Sequence, residues 1–164
     1  MARVKTTFDL KHGLGRRALF LAGAVCTFVA LDTEARASTR WETLEAIHTV
    51  ENPRDRQEPG PCGELGAYQF RQDTWRMYSR RAFNEALDRR RSDEVAVRHY
   101  DWLKTSLERN GLEATIYNIA LAWNAGIGAV VSGRVPAVSR DYATRVENIA
   151  LELRSRQQQV ADLH

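Results

Sequence analysis

Apolar residues recur at three- and four-residue intervals along nearly all of the chain after residue 38, and almost nowhere in strict alternation. That period fits one face of an α-helix, whereas a half-buried strand needs a period of two. The chain is therefore expected to be mainly α, with five or six helices and little or no sheet. "STRWETLEAIHTVEN" opens on Ser38 or Thr39 as N-cap with Glu42 completing a capping box, and sets Trp41, Leu44, Ile47 and Glu51 on one face. Pro53 ends it, because a residue before proline is pushed out of the αR region. Helical pattern resumes near Asp73. "SDEVAVRHYDWLKTSLERNG" reads as a helix capped by Ser92 and stopped by Gly111, and "LEATIYNIALAWNAG" as another, with Ile116, Ile119, Ala120 and Trp123 on its stripe. "SRDYATRVENIALELRSR" keeps Tyr142, Val146, Ile149 and Leu153 in register. "AYQF" is expected to be a short extended piece, and "GIGAVVSGRVP" a connector with brief extended structure.

Residues 1–37 read differently. Basic residues precede "ALFLAGAVCTFVAL", and "ARA" at Ala35–Ala37 has the form of a leader-peptidase site. An apolar run of 14 residues falls short of the roughly 20 that span a bilayer. The expectation is a cleaved export leader, with membrane contact only if it stays uncleaved, and a periplasmic or secreted product. Arg16-Arg17 admits twin-arginine export as well as the general route. Residues 38–156 are expected to form one domain and 157–164 a disordered tail.

Setting the leader aside removes six basic and three acidic residues from totals of 24 and 21, leaving 18 of each. A near-neutral domain lacks the basic footprint of a nucleic-acid binder, and "RRR" at Arg89–Arg91 reads as a solvated helix end. Only Cys62 remains, so packing and not a disulfide must hold the domain. His48, His99 and His164 do not share metal-ligand spacing with it. No metal or cofactor is expected.

Glu51 is the residue that stands out. It continues the apolar stripe, and it occupies the last turn, where the helix dipole disfavours an anion. Burial and dipole would both raise its pKa, as a general acid acting near neutral pH requires. It could instead turn outward and pair with Arg54 or Arg56. "GELGAYQF" follows as G-x-x-G-x-x-Q, at Gly63, Gly66 and Gln69, either an ordinary loop or one whose glycines admit a ligand close to the backbone. "LAWNAG" sets Trp123 beside Asn124, a pair suited to a saccharide or equally to a core tryptophan and a helix cap. Tyr142 is a buried phenol in need of a partner.

In order and spacing, A-I-x-x-x-E-N, G-x-x-G-x-x-Q, A-x-N-A-G and Y-x-x-R-V resemble the motifs of the lytic transglycosylase family, within the lysozyme-like superfamily, over roughly residues 40 to 150. The family usually has Glu-Ser where this chain has Glu51-Asn52, Gly-x-x-Gly-leucine-methionine-Gln where it has Ala67-Tyr68-Gln69, and tyrosine where it has Trp123. The resemblance implies a lysozyme-like fold and cleavage of the glycosidic bond between N-acetylmuramic acid and N-acetylglucosamine in peptidoglycan strands, with formation of a 1,6-anhydro ring. Glu51 would be the catalytic acid and base. Tyr68, Gln69, Trp123, Asn124 and Tyr142 would form the substrate site, Tyr142 by supporting the glutamate. A lysozyme-type hydrolase using a loop carboxylate, or a non-catalytic wall-binding protein, are the alternatives.

Overall fold

The computed structural model describes residues 39–163, so the leader, Ser38 and His164 lie outside the described residues. Helix α1 spans 39–51. It is followed by a long loop, α2 (Gln72–Tyr78), a 3₁₀ turn (Phe83–Leu87), α3 (Arg89–Arg109), α4 (Ile116–Ala125), α5 (Ile127–Val131) and α6 (Ala137–Ala161). Among the described residues the only extended pairing is an isolated antiparallel bridge between Leu65 and Phe70, so the chain is mainly α.

Helix α4 is the centre of the domain. Ile116, Ile119, Ala120, Leu121 and Ala122 are all buried, and the helix packs against α6, α3 and α5. Each large aliphatic side chain so buried contributes about 1.5–3 kcal/mol. Thr115 opens α4 by accepting from the Asn118 N–H at 3.1 Å. The C-terminus of α3 closes with the Gly111 N–H on Glu108 O and the Leu112 N–H on Leu107 O, each at 3.0 Å. That is a Schellman motif, and its left-handed residue is Gly111, at φ +73°.

The structure departs from the sequence expectation at several places. Trp41 is 48% exposed. Steps of three residues fall short of a full turn, so Trp41 stands about 120° around α1 from Ile47. The cap of α3 is Asp88, whose carboxylate accepts the Arg91 N–H at 2.9 Å, and Ser92 is buried inside the helix. The arginine run is thus a first turn, where basic groups oppose the helix dipole, and Arg89 is compensated by Glu45 at 2.7 Å and Asp93 at 2.8 Å. The glycine-rich connector contains the helical turn α5, and "AYQF" is a tight turn closed by the Leu65–Phe70 bridge. The last helix continues through Ala161, because no glycine or proline interrupts its good helix formers.

Polar contacts join α1 to α6 towards both ends of α1. Buried Glu42 pairs with Arg154 at 3.1 Å, and nearer the loop Glu51 meets Tyr142. The second contact defines a site.

Candidate active site

Glu51 is the last residue of α1, partly buried, at the floor of a cleft of about 610 Å³. The Tyr142 hydroxyl donates to its Oε1 at 2.8 Å, across 91 residues of sequence. Tyr142 is 5% exposed and is not among the residues lining the cleft. It stands behind the acid and is hydrogen-bonded to it, the contact that the expected support of the glutamate needs, and it does not itself line the cleft. Burial raises the phenol pKa well above its ordinary value, and the neighbouring Glu51 charge adds to this. Tyr142 therefore remains a donor across the working pH range.

The loop that forms the opposite wall is shaped by Asn52 and Gly66. Asn52 is buried; its side chain accepts the Arg56 N–H at 2.9 Å and donates to Arg56 O at 3.0 Å and Gly66 O at 3.3 Å. Its amide is spent on clamping the loop and is not offered to the cleft. The Gly66 carbonyl also accepts the Gln69 backbone N–H at 3.1 Å and the Gln69 side-chain amide at 2.9 Å. Behind this loop, Asp55 accepts from His48 Nε2 at 2.8 Å, while Arg89 donates to His48 Nδ1 at 2.8 Å. A guanidinium only donates, so the imidazole proton belongs on Nε2, towards Asp55.

Of the residues expected at the site, Gln69, Tyr68, Trp123 and Asn124 line the same cleft as Glu51. Asn124 is exposed at the end of α4 and Trp123 is half-buried beside it. Tyr68 contributes only part of its ring. It is 3% exposed, and its hydroxyl donates to Asp93 at 2.7 Å, which leaves that group unavailable to a ligand.

The lining also includes residues that the sequence reading did not place at the site, two of them titratable in ways that bear on the chemistry. Glu64 lies in the loop, and His99 comes from the middle of α3. Nothing in the sequence separated Glu64 from its solvated neighbours Asp55 and Glu58. For His99 a signal existed: Trp102 follows it by one helical turn, so two aromatic rings share a face. Burial holds the His99 pKa down to about 4, so its ring is neutral at physiological pH.

The two cleft carboxyls are driven apart. Burial raises the pKa of Glu51; the Tyr142 hydrogen bond opposes this, the Glu64 charge adds to it, and Arg145 opposes it. The Glu64 pKa is lowered, first by its own backbone N–H; burial works against that, and the Cys62 N–H at 2.9 Å and Arg71 at 3.9 Å work with it. One carboxyl thus holds its proton to higher pH while the other ionises early, an arrangement that separates an acid from an anion. Glu64→Gln removes the anion, so Glu51 should lose its proton at lower pH. Carbon-13 NMR titration of the Glu51 carboxyl should show its midpoint moving down; a midpoint that stays or rises would remove Glu64 from this account.

No family model matches the chain, and no curated protein or solved structure matches it either. Among the described residues no cluster of His, Cys, Asp and Glu could hold a metal ion, and no helix is long and apolar enough to cross a membrane.

Proposed function

We propose that the protein is an exported lytic transglycosylase with a lysozyme-like fold that cleaves the glycan strands of peptidoglycan. The observation that carries this reading is the convergence at Glu51. Four separated segments meet there: the end of α1 with the acid, the Gly66–Gln69 turn, the end of α4 with Trp123 and Asn124, and Tyr142 of α6 bound to the carboxyl at 2.8 Å. Those are the segments on which the likeness to the family rests.

In this reading Glu51 gives its proton to the glycosidic oxygen as the bond to the muramoyl C1 breaks. The acetamido oxygen of the substrate supports C1. The Glu51 carboxylate then takes the proton of the muramoyl 6-hydroxyl as O6 closes on C1. The proton lost in the first step returns in the second, no water is consumed, and no cofactor is needed. A carboxyl with a raised pKa suits the first step, and the fixed Tyr142 hydroxyl stabilises the anion between the two.

Hydrolysis is the second reading, and the position of Glu64 favours it. An ionised carboxylate in the same cleft could activate water, which two-carboxylate glycosidases require. Digestion of purified peptidoglycan followed by mass spectrometry separates the two. The transglycosylase reading expects 1,6-anhydromuramoyl ends; reducing ends would favour hydrolysis by Glu51 and Glu64.

A further inference from the structure

Most large aromatic rings in the domain are buried or half-buried, as their area demands. Trp102 is 41% exposed, although its neighbour Leu103 on α3 is 1% exposed and packed in the core. Its surroundings connect it to the cleft. The Trp102 ring lies near-parallel to His99, with centroids 6.0 Å apart and planes at 12°. His99 lines the cleft and meets Trp123 edge-on at 4.7 Å, and Trp123 leads to Phe70 at 5.8 Å. A continuous aromatic run therefore begins with rings that line the cleft and ends at the half-exposed Trp102, just outside that lining.

The run is also held in place. The Tyr78 hydroxyl lies 3.0 Å from His99 Nδ1, and the two rings contact at 5.4 Å. A neutral imidazole fixed on both sides gives Trp102 a rigid, uncharged backing. The C–H face of a pyranose is apolar and slightly positive, and it packs against the negative face of an aromatic ring, while its hydroxyls stay in water at the rim. A half-exposed tryptophan stacked on a ring that lines the cleft offers that contact. A charged or peptide ligand would need ionic or backbone partners, which this run of rings does not supply.

We propose that Trp102, backed by His99, is a saccharide-stacking platform that takes a sugar unit of the glycan strand beyond those held next to Glu51. This assignment rests on the glycan-cleaving reading of the cleft and extends it to the length of strand the protein grips. Trp102 then acts on long strands and is indifferent to short ones, because a short oligosaccharide fills the cleft without reaching it.

Isothermal titration of the catalytically silent Glu51→Gln protein with chitotriose and chitohexaose tests this. Adding Trp102→Ala should weaken chitohexaose binding about tenfold and leave chitotriose within about twofold. Trp102→Phe, which keeps a π face, should recover most of the loss. Equal binding of chitohexaose with and without Trp102, or an equal loss for both sugars, overturns the platform. If the wild type still releases muropeptides in that case, the glycan-cleaving reading survives alone. If neither sugar binds and no muropeptides appear, both fall. The far-ultraviolet circular dichroism of each variant confirms that α3 is intact.

Discussion

Glu51→Gln is expected to abolish release of muropeptides from purified peptidoglycan while leaving the fold in place. The substitution keeps the shape of the side chain and an acceptor for the Tyr142 hydroxyl, but removes the only proton that the proposed reaction both gives and recovers. Loss of a positioned general acid lowers rates by about 10²–10⁴-fold, and loss of the returning base compounds it. Stability should not fall with activity. Burial raises the Glu51 pKa, so the ionised carboxylate is less comfortable in the folded state than in the unfolded one. That penalty is complete above the folded-state pKa and vanishes below the unfolded value, so near pH 7 the glutamine variant should melt at or above the wild-type temperature. Digestion at the wild-type rate would remove Glu51 from the chemistry and defeat the assignment of it as the acid and base.

Gly66→Ala should be the most damaging single-methyl change in the loop. A Cβ there would lie 1.8 Å from the Ala86 carbonyl oxygen and 3.2 Å from Ser92 Oγ. Both neighbours are fixed: Ala86 belongs to the 3₁₀ turn and is buried, and Ser92 is buried in α3. The backbone at Gly66 also has φ +78°, which costs an L-residue about 1–2 kcal/mol. Overpacking a closed site adds about 1–3 kcal/mol. The expected loss is about 4 kcal/mol, seen as a fall in Tm of roughly 15 °C. Gly63→Ala is the matched control. Gly63 has the same φ of +78° with nothing within 4 Å of the added atom, so its variant should bear the backbone cost alone. Equal melting temperatures for the two variants would show that the close approach at Gly66 is not what holds the loop.

The same contact accounts for Ser92. Its buried hydroxyl has no hydrogen-bond partner among the described residues, in a position where the backbone of Gly66 passes close by. A small side chain is needed there, and a polar atom without a partner accompanies it. Ser92 had the composition of a helix cap in the sequence. Asp88 holds that role because its carboxylate reaches the Arg91 N–H, and this follows from where the 3₁₀ turn delivers the chain.

What could be read from the residues alone was local. The helical period, the proline stop after α1, the Gly111 stop of α3 and the placement of Glu51 at a helix end all depend on residues within a turn or two of each other, where backbone sterics and side-chain spacing act directly. Trp41 marks the limit of that reading, since a stripe drifts around its helix and only the packed partners decide its edge. The pairing of Glu51 with Tyr142, the cleft positions of Glu64 and His99, and the burial of the Tyr68 hydroxyl against Asp93 were settled by the tertiary structure. Each depends on how separate helices pack in space, and a burial or a charge–charge effect has no value until those distances exist.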